Sequence, residues 1–232
     1  MSGKLFFNLQ SGIAKNLFFN ASSLVRSITV MRHSESTWNV AGYIQGRSGD
    51  PSIMLTPAGR LAARSLFASI PKPDILITSP LLRCVQTAEA GFDMSFDKLP
   101  MLTRMNSHLL EINAGHYEGR LIKDQENDPL WQIWMKDPMA FPGFPGGETL
   151  VEFQSRVLQG LGRICTEHGG ANQQVLVITH GVVMRVLKCF LADQNLEHLW
   201  KHQVSNLEQI HFTQAQIIQF QQYYDRMVLR YV

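Results

Sequence analysis

The 232-residue sequence predicts an α/β fold, a mostly parallel central sheet flanked by helices on both faces. Three observations carry that reading: short β-rich apolar runs without polar alternation, amphipathic segments between them, and cap or breaker residues at the joints. Ser27 to Met31 (SITVM) reads as a buried strand. Thr56 followed by Pro57 is an N-cap and first-turn signal, and Leu61, Ala62, Ser65, Leu66 and Ser69 carry a helix to the breaker at Pro71. Asp74 to Thr78 (DILIT) is the next strand, and Pro80 opens a helix through Ala90. After an irregular middle rich in Pro and Gly, Thr149 starts a long helix that ends near His168, stopped by Gly169 and Gly170. Val175 to Thr179 (VLVIT) reads as a third buried strand and Gly181 to Leu191 as the helix after it. In the tail from Leu207 to Val232, IHF and QIIQF look like edge strands.

Size and composition narrow the function classes. A 26.3 kDa chain that is 45% apolar and 17% charged can bury a substantial core, so collagen-like and wholly disordered classes are excluded. No 18-residue uncharged apolar run exists, so no membrane span is expected. A net charge of +2 is too mild for a nucleic-acid binder, and any phosphate affinity must be local. Cys84, Cys165 and Cys189 are odd in number, widely spaced and free of any C-x-x-C pair, which argues against disulfides and structural zinc. They read as small core hydrophobes in a reducing cytoplasm. Residues 1–25 stand apart as an N-terminal extension, a tail or amphipathic helix with Lys4, Lys15 and Leu5, Leu9, Ile13 and Leu17 at helical spacing. Residues 26–232 form the main domain. Organelle targeting through that basic, acid-poor segment is the alternative to a cytoplasmic location.

The chemistry collects at predicted strand ends. His33 follows the run SITVMR and His180 follows VLVIT. Ligands of open parallel sheets bind at the carboxyl ends of strands, so both imidazoles face one crevice. Arg32 adjoins the first histidine, and Arg83 lies in the first turn of the helix after DILIT, where the helix N-terminus also favours an anion. The planar, always-charged guanidinium matches two phosphate oxygens at once. Two arginines and two histidines at neighbouring strand ends make a dianion pocket.

These residues sit in five blocks: MRHSESTWN (31–39), SPLLRCVQTAE (79–89), LLEINAGHYEG (109–119), FPGGET (144–149) and VLVITHG (175–181). In this order the blocks resemble the signatures of the histidine phosphatase superfamily, phosphoglycerate mutase-like branch, and span most of the chain after Arg26. The resemblance implies a three-layer sandwich and a phosphohistidine mechanism without metal or cofactor. His33 matches the nucleophile, Arg32 and Arg83 the phosphate clamps, His180 the second histidine, and Glu111 the proton donor to the leaving oxygen. Ser36, Asn39, Gly46 and Gly181 match positions that touch phosphate or substrate, and Gly147, Glu148 and Thr149 the block that closes over the pocket. For Glu148 and Thr149 a plain helix N-terminus explains the residues equally well. A backbone carbonyl accepting from the other ring nitrogen would keep His33 neutral for attack. The chain departs from the family pattern at Ser34, where glycine is usual and a side chain would narrow the pocket. Tyr43 stands for a common arginine and Tyr117 for a common tryptophan, and the 47–54 segment is longer than usual.

Other phosphoryl chemistries lack their motifs. Six residues beyond each cysteine stand Ala90, Ala171 and Asn195, so there is no C-x5-R loop, and neither a G-x-x-x-x-G-K-[ST] loop nor a D-x-D pair occurs. His198 and His202 are one helical turn apart but read as a solvated face rather than metal ligands. A phosphatase acting on a small phosphorylated metabolite therefore leads. A cofactor-dependent phosphoglycerate mutase is the alternative, yet the 119–144 insertion holds only scattered Arg120, Lys123 and Lys136 where the resemblance implies added basic residues. A protein phosphatase or a scaffold ranks lower. The substrate's identity and the oligomeric state, a homodimer among the options, stay open.

Overall fold

The computed structural model describes residues 25–167, 173–192 and 195–228. The reading of residues 1–24 lies outside them. Five strands, β1 (Ser27–Arg32), β2 (Ile75–Thr78), β3 (Leu102–Met105), β4 (Gln174–Thr179) and β5 (Gln209–Phe212), form one sheet in the order β3-β2-β4-β1-β5. The three pairings among β3, β2, β4 and β1 are parallel, and β5 closes the edge antiparallel to β1.

Side-chain alternation divides each central strand between two cores. Met31, Leu76, Leu176 and Ile178 point to one face and pack with Phe67 of α2 (Pro57–Phe67) and with Cys84 and Ala88 of α3 (Leu82–Phe92). Ile28, Val30, Ile75, Ile77, Val175 and Val177 point to the other face. There they meet Phe153, Val157 and Leu158 of α5 (Leu150–Glu167), Val183 and Leu187 of α6 (Gly181–Leu191), and Phe220 of α7 (Gln214–Val228). Helices thus cover both faces of an α/β fold. Two short helices, α1 (Thr37–Ala41) and α4 (Pro129–Lys136), belong to the connecting segments. All three cysteines are buried in helices, where desolvation pushes the Cys84 and Cys165 thiols up to about 12 and that of Cys189 to about 11. No helix among the described residues is long and apolar enough to cross a membrane.

Some expected elements change. QIIQF is helical, lying inside α7: Thr213 and Gln216 exchange reciprocal hydrogen bonds, a capping box that starts the helix, and Ile217 and Phe220 turn to the core. IHF is the edge strand β5. Strand β3 carries no sequence signal because, at the opposite edge, Leu102 and Met105 are largely exposed and no apolar run is needed. The middle is less irregular than expected: Asp128 caps α4 through the Trp131 N–H at 2.9 Å, and Pro129 takes the first helical position. Helix α3 begins at Leu82 with no side-chain cap, since its N-cap residue is Leu81, whose side chain has no acceptor.

Helix α2 seats directly on the loop that follows His33. Its N-cap Thr56 accepts from Gly59 N at 2.9 Å, and the Ser34 hydroxyl donates to the Gly59 carbonyl at 2.7 Å. Ser34 therefore points beneath α2 and does not narrow the pocket, which corrects the expectation for it. A Cβ at Gly59 would stand 2.3 Å from the Glu35 carbonyl oxygen, so only glycine allows this approach. Gly59→Ala is expected to lower stability by roughly 1–3 kcal/mol through forced backbone shift, read from the urea midpoint. An unchanged midpoint would contradict the close seating.

Candidate active site

Parallel pairing in register places Arg32 beside Thr179, so the next residues, His33 and His180, emerge together from adjacent strands. His33 N donates to the Thr179 carbonyl at 2.8 Å, extending the ladder by one residue. The two ring centroids are 5.4 Å apart with planes at 63°. His33 is 3% exposed and His180 is 0% exposed. His33 Nδ1 lies 2.7 Å from the Ser34 carbonyl, which can only accept, so Nδ1 carries the proton and Nε2 keeps a lone pair. His180 Nε2 lies 2.7 Å from the Ser79 hydroxyl.

Both rings are uncharged at neutral pH. Burial is the main cause, and the Arg83 and Arg32 guanidiniums add to it, holding both imidazoles well below their ordinary value against the opposing Ser34 carbonyl at His33. Arg83, 1% exposed, donates to the Gly46 carbonyl at 2.7 Å, and Arg32 to the Val204 carbonyl at 2.7 Å. Their Nε atoms are buried with no hydrogen-bond partner among the described residues. Buried unpaired donors on a cation are costly, and an anion between the two arginines satisfies them.

Glu111 reaches the same place from the loop after β3. It is 9% exposed; one carboxylate oxygen accepts from Ile112 N at 3.0 Å and the other from Val182 N at 3.0 Å, in the first turn of α6. Thr179 Oγ1 fastens this loop by donating to the Leu109 carbonyl at 2.8 Å. A cavity of about 170 Å³ opens here, lined at its charged end by Arg32, His33, Arg83 and Glu111. The His180 ring is not part of the cavity wall.

A model described as the histidine phosphatase superfamily (branch 1) matches residues 28–221. The chain belongs to that superfamily. The phosphoserine phosphatase 1 of Hydrogenobacter thermophilus is 30% identical over 184 residues, 77% of this chain and 82% of that protein. The 2,3-bisphosphoglycerate-dependent phosphoglycerate mutase of Bartonella quintana is 30% identical over 182 residues, 75% and 85% of the two. The solved structure of Bacillus stearothermophilus YhfR covers 78% of this chain and 87% of its own, at 28% identity and a TM-score of 0.68.

Within this histidine phosphatase site the remaining expected residues divide into two groups. Asn39, Gly46 and Gly181 line the cavity, as does Tyr43. Ser36, Glu148 and Thr149 stand outside its wall. Ser36 is fully buried as the N-cap of α1, sharing a capping box with Asn39. Glu148 accepts from Arg47, from Arg156 Nε at 2.7 Å and from Asn113 N at 2.9 Å. Arg156 in turn holds the carbonyls of His108, Leu110 and Glu111, so Glu148 acts by fixing the Glu111 loop. Thr149 exchanges hydrogen bonds with Glu152 as a cap of α5. Sequence reasoning missed Arg185, Trp131 and Trp200 on the wall and Ser79 behind His180. Of these only Arg185 was legible, since it follows Gly181 by one helical turn.

Because both rings bind protons more weakly folded than unfolded, stability is present above the unfolded histidine pKa of about 6.5 and is lost as pH falls below it. Each ring contributes up to about 1.4 kcal/mol per pH unit in that window. Unfolding free energy measured from pH 8 to 5 is expected to fall below about pH 6.5, and less steeply in His180→Asn. Flat stability across this range would contradict buried, neutral rings.

Proposed function

We propose that this protein hydrolyses small phosphomonoesters through a phosphohistidine on His33. The observation that carries the reading is the pair of buried, neutral imidazoles 5.4 Å apart beside two guanidiniums with unpartnered Nε atoms. The dianion lies between Arg32 and Arg83, whose fixed charges meet the charge spread over the transferring phosphoryl group. His33 Nε2 forms the N–P bond with its lone pair while the ester P–O bond breaks. Glu111 gives its proton to the leaving oxygen. Water then attacks phosphorus, the P–N bond breaks, and Glu111 takes the water's proton, so both groups return to their starting state. His180, behind the cavity wall and bonded through Nε2 to the Ser79 hydroxyl, backs the nucleophile as a second neutral ring.

A cavity of about 170 Å³ suits a small metabolite, since sites for drug-sized ligands run about 300–1,000 Å³. Relatives named for phosphoserine and phosphoglycerate chemistry support three-carbon phosphorylated acids as the substrate class. Hydrolysis is favoured over mutase action by the 119–144 segment, which lends the cavity Ile122, Trp131, Trp134 and Phe144 and no cation, so that Arg185 is the one guanidinium on the wall beyond the clamp pair among the described residues.

His33→Ala is expected to reduce phosphate release from p-nitrophenyl phosphate by at least about a thousandfold. Glu111→Gln should cost roughly 100- to 10,000-fold on an alkyl phosphate and far less on p-nitrophenyl phosphate, whose leaving group needs no proton. Isomerisation of 3-phosphoglycerate that appears only after priming with 2,3-bisphosphoglycerate would replace this reading with the mutase.

A further inference from the structure

The segment 204–208, just before β5, wraps the end of β1 where the phosphoryl chemistry is placed. Arg32 is held by it at three points: its guanidinium donates to the Val204 carbonyl at 2.7 Å, its N–H to the Glu208 carbonyl at 3.0 Å, and its carbonyl accepts from Leu207 N at 3.2 Å. Leu207 makes that last bond from the left-handed region, at a φ of 61°. A branched side chain rarely sits there, and packing against the core beneath α2 and α3 keeps it in place. The segment is also tied down from α6, because Lys188 donates to the Gln203 carbonyl at 2.8 Å and pairs with Glu208, whose carboxylate accepts from Ser205 N at 2.7 Å. At the centre of this rigid turn stands Asn206. Its Nδ2 donates to the His33 carbonyl at 2.9 Å and faces Asn39 Oδ1 at 3.4 Å. Asn206 itself stands outside the cavity wall, whereas Arg32, His33 and Asn39 all line it.

We infer that Asn206 is a positioning residue: its one amide group seats the backbone of His33 and sets which end of the Asn39 amide is offered to the phosphate. The orientations follow from donor and acceptor counts. A carbonyl can only accept, so the end of Asn206 that meets His33 is Nδ2. The end of Asn39 that meets Nδ2 must then be its oxygen, and the Ser36 N–H, 3.1 Å from the same atom, makes the same demand. With Oδ1 so occupied, the amide nitrogen is what Asn39 has left to offer the cavity. The His33 main chain is likewise held on two sides, its N–H by the Thr179 carbonyl at 2.8 Å and its carbonyl by Asn206. Nucleophilic attack depends on such placement, since small displacements of the reacting atom are costly in rate. This rests on the phosphatase reading and adds to it a residue that acts without touching substrate.

Asn206→Asp keeps the size of the side chain and sets an acceptor against two acceptors, while Asn206→Ala removes the group; if either variant fails to fold, the other carries the test. In the full-length enzyme each is expected to lower kcat on p-nitrophenyl phosphate by about 10- to 100-fold, more than it raises KM. Because Asn206 works partly through Asn39, its removal should cost at least about threefold less in an Asn39→Ala background than in the wild type. Calorimetric titration with inorganic phosphate reads the same coupling without turnover: binding weakens in Asn206→Asp, and weakens less when Asn39 is already alanine. A lowered urea midpoint with kcat unchanged would make Asn206 a residue of the fold alone and overturn the inference, as would equal costs in the two backgrounds. Coupled loss of phosphate binding in a wild type that hydrolyses no ester would instead sink the phosphatase reading and leave the brace on the anion site standing.

Discussion

Two guanidinium groups buried against two imidazoles at the end of a sheet impose one condition on everything around them. Both rings must be neutral, because a third or fourth positive charge in so little water is prohibitive. Neutrality gives His33 a lone pair, and the Ser34 carbonyl decides which nitrogen carries it. The same crowding leaves the arginines attractive to a dianion, since their own unpaired donors are relieved by it. One arrangement therefore supplies both the nucleophile and the binding site that the proposed hydrolysis needs.

The sheet makes that arrangement rigid. Parallel register between β1 and β4 sets the two rings side by side, and the β2-to-α3 turn delivers Arg83 and Ser79 from the neighbouring strand. The loop carrying Glu111 is held from both ends, by Thr179 on β4 and by Arg156 on α5, with Glu148 holding Arg156. Several polar side chains near the site thus act at one remove, through the backbone they hold.

What the sequence discloses and what it hides follow from this division. Strands β1, β2 and β4 were legible because they are buried on both faces and need continuous apolar runs. Strand β3 was not, because an exposed edge makes no such demand. QIIQF misled because Ile217, Ile218 and Phe220 fit either period, and the capping box of Thr213 and Gln216 upstream was the overlooked arbiter. His33, His180, Arg32 and Arg83 could be placed because strand ends are fixed points in an α/β sheet. Ser36 and Glu148 could not, since a residue type alone does not say whether it faces ligand or backbone. Trp131 and Trp200 come from distant segments that only folding brings to the pocket wall.

The proposed reaction turns on a covalent bond between phosphorus and His33. Rapid mixing with substrate, quenching in alkaline denaturant that preserves phosphohistidine, and peptide mass spectrometry test it most directly. A phosphoryl group is expected on the His33 peptide, forming and decaying within the turnover time. A phosphoryl group on another side chain, or steady turnover with His33 never modified, would contradict it.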